Sequence, residues 1–249
     1  MEIQGYKSTN VLGYDVFSAS LDIMNSNIDK VLINTFSPNS YGLAVKDLEF
    51  EKALKGSDLL VLDGIGIALG SIILNGKNIK KIAGQDCFDY LMEQADKNRW
   101  KVFFLGSSEQ TLGKIKNRAG KEYANVRTAS YSPPFKEEFT EEDNSLMINA
   151  INEFNPDVLF IAMTAPKQEK WAYQHRDRVN ARMLCAVGNV FDWYAGNSKR
   201  PSGIWVKLRL EWLVRIFLRP EIFRRNTKNQ LVFVKDLLLH ITYLKRIKI

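Results

Sequence analysis

Five short apolar runs limit what this chain can become. They are VLIN at 31–34, LLVL at 59–62, KVFFLG at 101–106, DVLFIAM at 157–163 and MLCAVG at 183–188. Each is nearly continuous rather than alternating, so both faces of such a strand must be covered. Between them lie stretches with helical spacing: GLAVKDLEFEKALKG, QDCFDYLMEQADKN, SEQTLGKIKNRAGKEY and EEDNSLMINAINEFN. Apolar strands alternating with amphipathic helices predict an α/β fold, a Rossmann-like, mostly parallel sheet with helices on both faces, over residues 1–195. Ligands of such sheets bind outside the C-terminal ends of the strands. Four of those ends carry chemistry here: DGIG after Leu62, LGSS at 105–108, AMTAPKQE at 162–169 and VGNVFD at 187–192.

Charge divides the chain differently. Residues 196–249 hold 13 Lys or Arg against 3 Asp or Glu, while residues 1–195 hold 22 against 25. The formal surplus of +7 therefore belongs to the last fifth of the chain. A segment this basic points to a polyanion such as anionic lipid, phosphate or nucleic acid. In GIWVKLRLEWLVRIFLRPEIFRR, Lys207, Glu211 and Arg215 fall on one stripe at four-residue spacing, and Trp205, Leu208, Trp212, Leu213, Ile216 and Phe217 cover much of the rest. That pattern suits a helix lying on a membrane surface, and equally a helix docked on a protein core. The aromatics mix with Leu, Ile and Val rather than polar groups, which disfavours nucleic acid. No apolar run approaches the roughly 18–20 residues that span a bilayer, so residues 196–249 are expected to be a helical, membrane-targeting appendage. The N-terminal stretch lacks a secretory leader pattern, and Cys87 and Cys185 are expected as reduced, buried thiols of a cytosolic protein.

The stretch VLDGIGIALG at 61–70 formally matches G-x-G-x-x-x-G. A dinucleotide-binding turn would place its acid about 20 residues downstream. Here Asp63 precedes the first glycine, so two other readings stand. Asp63 is either the N-cap of a helix after a tight turn or an acid with chemistry to do. TAPKQEKW at 164–171 places a Pro, a cation and polar side chains in the first turn of a helix at the ligand edge. Metal chemistry is not indicated. His175 and His240 are far apart, the cysteines do not cluster with them, and no D-x-D occurs. A serine-hydrolase triad has no G-x-S-x-G to rest on.

In order and spacing, LLVLDGIGI, KIAGQD, FFLGSSEQTL, NPDVLFIAMTAPKQEKW and AVGNVFDWYAGNSKRPSGIWVKLRLEWLVRIFLRP resemble the WecG/TagA/CpsF family of bacterial glycosyltransferases (glycosyltransferase family 26). The resemblance runs from about Val31 to Arg225. It implies a metal-independent, inverting transfer of a sugar from a UDP-sugar to a polyprenyl-diphosphate-linked sugar. Such a protein would be peripheral on the inner face of the bacterial cell membrane and serve surface polysaccharide synthesis. The family's acid falls on Asp63, the expected general base, its threonine on Thr35 and its glutamine on Gln168. The family's arginine is replaced by Lys81, which keeps charge but not the bidentate fork. Ser37 and Asn39 stand where the family more often has Asn and Glu.

Further substrate contacts are expected at Gly64, Gly66, Asp86, Gly106, Ser107, Lys167, Gly188 and Asp192. Arg215, Arg224 and Arg225 of the appendage are expected to meet the diphosphate or the membrane. No cofactor is implied, and a homo-oligomer is compatible with this reading. A dinucleotide-dependent oxidoreductase and a non-catalytic membrane adaptor are the alternatives.

Overall fold

All five apolar runs form strands of one six-stranded parallel sheet in the computed structural model, which describes residues 7–23, 29–198 and 220–247, with side chains of the last helix described over 226–242. In chain order the sheet strands are β3 (Val31–Phe36), β4 (Leu59–Leu62), β5 (Lys101–Gly106), β6 (Arg127–Tyr131), β7 (Val158–Ala162) and β8 (Met183–Ala186). Their spatial order is β4-β3-β8-β7-β5-β6. β6 was not evident in the sequence because it is a polar edge strand, RTASY, with no fully buried residue. Also unforeseen is an antiparallel hairpin of β1 (Ser8–Val11) and β2 (Tyr14–Phe17), turned at Leu12–Gly13. The alternation in NVLGYDVF was the signal for it.

The continuous apolar strands are buried on both sides, as their composition requires. On β7, Val158, Phe160 and Ala162 face one layer, and Leu159 and Ile161 face the other. The first layer holds α4 (Gly84–Asn98), α5 (Glu109–Glu122) and α8 (Val190–Tyr194), with Phe88, Phe104, Phe160 and Phe191 at its centre. The second holds α6 (Glu141–Phe154) and α7 (Lys167–His175) over β5, β7 and β8. Toward the β4 edge that second face is covered by the hairpin, α1 (Pro38–Ala44), α2 (Leu48–Lys55), α3 (Ile65–Asn75) and the last helix, α9 (Pro220–Ile247).

Helix starts follow the local chemistry. Ser37, Asp47, Ser108 and Thr140 each accept a first-turn backbone N–H with their side chains, the standard answer to unpaired N-terminal amides. The stretch GLAVKDLEFEKALKG is two helices rather than one, because Asp47 caps a second start at Leu48. Cys87 on α4 and Cys185 on β8, 98 positions apart, are buried free thiols brought into a mutual hydrogen bond by the packing of α4 on the sheet. That bond and burial push the Cys185 thiol well above the ordinary range.

α9 is docked. Its Asn229 lies against Gly42 of α1, where even a methyl group would collide with the Asn229 backbone. The Tyr41 hydroxyl donates to Asp236 at 2.9 Å, and the Asn229 amide donates to Asn39 at 3.1 Å. Phe233 packs edge-on to Tyr41 with ring centroids 5.5 Å apart. Over 226–242, the core-docking reading of the basic tail therefore holds for one face of this helix. The expected stripe of Lys207, Glu211 and Arg215 lies outside the described residues.

Candidate active site

The strand ends form a row. Thr35 lies on β3 opposite Val61, and Phe36 lies opposite Leu62. The Asp63 N–H donates to the Phe36 carbonyl at 2.8 Å, so Asp63 is the first residue past β4 on this edge. Gly64 follows at φ 91°, a backbone shape open to glycine, and is the N-cap of α3. Asp63 is therefore not the helix cap. The capping reading of this turn fails because the cap position falls one residue later. Asp63 and Thr35 are both half-buried. The Ile82 N–H donates to the Leu62 carbonyl at 2.9 Å, which sets Lys81 and Asp63 each one residue from a shared hydrogen bond. Lys81 is also half-buried. Gly84 opens α4 against Val187, where a Cβ would stand 3.3 Å from the Val187 carbonyl. Thr35, Asp63, Gly64, Lys81 and Gly188 are thus gathered over β4, β3 and β8.

A second group lies farther along the same edge. β5 leads outward to β6 and β7 leads back to β8, so the chain reverses direction between these neighbours, the usual place for a ligand crevice. Gly106 ends β5 at φ 110°, with the Ala162 carbonyl where a side chain would begin. Ser107 follows at φ 60°, and its carbonyl accepts the Ser132 hydroxyl at 2.7 Å.

Gln168 joins the two groups. Its side-chain oxygen accepts the N–H of Met163 at 3.2 Å and of Gly188 at 3.1 Å, stitching the ends of β7 and β8. Its amide donates to Glu169 at 2.8 Å. Gln168 is buried, and Glu169 is more so. Burial raises the pKa of Glu169, and its second oxygen has no partner among the described residues. This inward role was not legible in PKQEK, which reads as a polar first turn.

Other expected contacts are engaged elsewhere. Asp86 is exposed and accepts the Ala83 N–H at 2.7 Å, closing the start of α4. Asp192 holds the loop after α8 by accepting the N–H groups of Asn197 and Ser198 on its carbonyl. Lys167 donates to the Lys136 carbonyl and lies 4.5 Å from the centroid of the Phe139 ring, so it faces the loop before α6, where burial lowers its pKa. Gly66 faces Pro38 and Phe233 from within α3. Arg215 lies outside the described residues. Arg224 and Arg225 are in α9, but their side chains lie outside the described ones. Among the described residues, no group of three His, Cys, Asp or Glu is arranged to hold a metal ion, and no helix is long and apolar enough to cross a membrane.

A doubly covered parallel sheet with an acid, a cation and glycine turns along its C-terminal edge has its ligand crevice on that edge. Residues 5–246 match the model of the WecG/TagA/CpsF glycosyl transferase family, and the chain belongs to that family; it is a glycosyltransferase. It is similar to an N-acetylglucosaminyldiphosphoundecaprenol N-acetyl-beta-D-mannosaminyltransferase of Bacillus subtilis (strain 168), with 30% identity over 78% of this chain and 74% of the relative. Proteins of the same description in Bacillus spizizenii and Staphylococcus aureus (strain NCTC 8325) are 27% and 25% identical. They match over 78% of this chain and over 73% and 74% of their own lengths.

Proposed function

We propose that this glycosyltransferase moves a sugar from a UDP-sugar to a polyprenyl-diphosphate-linked sugar, inverting the anomeric centre without a metal ion, in bacterial cell-surface polysaccharide synthesis. The observation that carries the reading is the place of Asp63 in a chain of this family: the first residue past β4, on the strand-end edge that it shares with Thr35 and Lys81. The relatives' names make N-acetylmannosaminyl transfer to an N-acetylglucosaminyl-diphosphoundecaprenol acceptor the first substrate pair to try.

The reaction is an in-line displacement. The acceptor hydroxyl attacks the anomeric carbon, its proton passes to the Asp63 carboxylate, and the bond to the UDP oxygen breaks with its electron pair leaving on the diphosphate. Lys81 and the backbone amide at Gly64 are the groups offered to the leaving charge, and the turn at Gly106–Ser107 faces the nucleotide end of the donor. From β4 to β5 the row spans four strand spacings, about 19 Å. It suits a donor laid along the edge, with its sugar near Asp63 and its nucleotide toward β5.

The test is UDP release from UDP-N-acetylmannosamine, and from a panel of other UDP-sugars, with a short-chain polyprenyl-diphosphate N-acetylglucosamine acceptor. Acceptor-dependent UDP release that survives EDTA is expected. Release abolished by EDTA would remove the metal-free step, and no release from any donor would remove the substrate assignment.

A further inference from the structure

We infer that α3, the helix that follows Asp63, is itself a membrane-contact element, forming with α9 one apolar strip that rests on an anionic bilayer. The inference builds on the lipid-linked acceptor proposed above and adds a contact from within the sheet domain. α3 contains no charged residue. Its Ile65, Leu69, Ile72 and Ile73 are 36%, 48%, 43% and 53% exposed. At 3.6 residues per turn these four share one arc of the helix. The adjoining arc holds Gly66 and Gly70, which face α9. A Cβ on Gly70 would stand 3.2 Å from the Phe233 ring and 3.9 Å from Leu237.

On α9 the same geometry continues. Asn229 and Asp236 face α1, and Phe233 and Leu237 face the glycines of α3. Turning further in that direction reaches Val234, Leu238 and Leu231, which are 48%, 58% and 61% exposed. The two exposed arcs therefore flank one glycine seam and form a single surface of seven aliphatic side chains. Scattered exposed leucines are ordinary, but a contiguous patch marks a contact site.

Charge selects the occupant. Lys228 and Lys235 border the α9 part of the strip, and the exposed Lys77 and Lys80 follow α3 in the chain. The one acid on α9 between residues 226 and 242, Asp236, is turned to the Tyr41 hydroxyl. Aliphatic side chains rimmed by lysines match the acyl boundary and headgroups of anionic lipid. A second copy of the chain would set lysine rim against lysine rim. Only Gly64 separates Asp63 from Ile65, so seating the strip on the bilayer brings the β4 end of the site to headgroup level, where a lipid-linked diphosphate sugar resides.

The experiment is co-flotation of the full chain with phosphatidylglycerol–phosphatidylcholine vesicles and with phosphatidylcholine alone, for wild type and for Leu69→Ser/Ile72→Ser/Ile73→Ser. Wild type is expected to prefer the anionic vesicles, and the triple variant to bind them about tenfold more weakly. Because the triple variant could lose its fold, an environment-sensitive dye on Ile73→Cys, with Lys116→Cys on α5 as control, reads the same contact in an otherwise native chain. The native Cys87 and Cys185 are buried. A blue shift with vesicles at position 73 and not at 116 is expected. Vesicle binding by wild type with no loss in the triple variant and no shift at 73 would overturn the α3 contact alone. Absence of wild-type binding would overturn the membrane reading as a whole, leaving the transfer assay above to judge the activity separately. A change of oligomeric state in the triple variant, with vesicle binding unchanged, would assign the strip to a second copy and also overturn the inference.

Discussion

The side-chain oxygen of Gln168 accepts the backbone N–H of Gly188 at 3.1 Å, so a residue at the start of α7 holds the end of β8. The same oxygen takes Met163 at the end of β7. Replacing Gln168 with Leu removes the acceptor from two strand-end amides, each unmet bond costing about 1–3 kcal/mol if the amide stays buried. Gln168→Leu is expected to lower the free energy of unfolding in urea measurably and activity with it. A variant with full stability and lost activity would make Gln168 a direct substrate contact instead.

Asp63→Asn keeps shape and removes basicity. Turnover on a lipid-linked acceptor is expected to fall by about 10²–10⁴, with the near-UV circular dichroism of the native fold retained. Near wild-type turnover would take the base role from Asp63.

Docking of α9 rests on close approach at Gly42 and on the Tyr41–Asp236 bond. Gly42→Ala pushes a methyl group into the Asn229 backbone and is expected to cost about 1–3 kcal/mol. Tyr41→Phe removes one hydrogen bond and is expected to cost about 1 kcal/mol. Limited proteolysis checks the mechanism: α9 is expected to be cut fastest in Gly42→Ala, at an intermediate rate in Tyr41→Phe and slowest in wild type.

Glu169 predicts a pH dependence of stability. Burial raises its pKa in the folded chain, so the native state holds the proton more tightly than the unfolded chain does. That contribution is complete below the ordinary Glu value of about 4.3 and is lost as pH rises through the folded value. Glu169→Gln keeps an acceptor for the Gln168 amide and cannot ionise. Its melting temperature is expected to fall less than that of wild type as pH rises, and to be no lower than wild type near neutrality. Parallel melting curves across pH would refute this.

The sheet was legible because VLIN, LLVL, KVFFLG, DVLFIAM and MLCAVG are apolar on both faces, which forces burial between two helical layers wherever they pair. The position of Asp63 directly after a buried strand was legible too, its role as base came from the family resemblance alone, and the structure sets Gly64 rather than Asp63 at the N-cap of α3. Family spacing supplied Thr35, Lys81 and Gln168 as positions. It did not supply the inward turn of Gln168, which depends on two strand ends meeting across β7 and β8.

The glycines show the division most clearly. VLDGIGIALG determined a turn, and Gly64 makes it. Only the tertiary structure decided that Gly66 and Gly70 lie inside α3 and admit Phe233 of α9, because a close helix crossing depends on residues more than 150 positions away. The basic, apolar composition of the last segment determined a helix with something to bury. Which face it buries on α1 and α3, and which it leaves exposed beside Ile65, Leu69, Ile72 and Ile73, was decided by packing, since a single helix carries the same pattern whether its partner is a core or a bilayer.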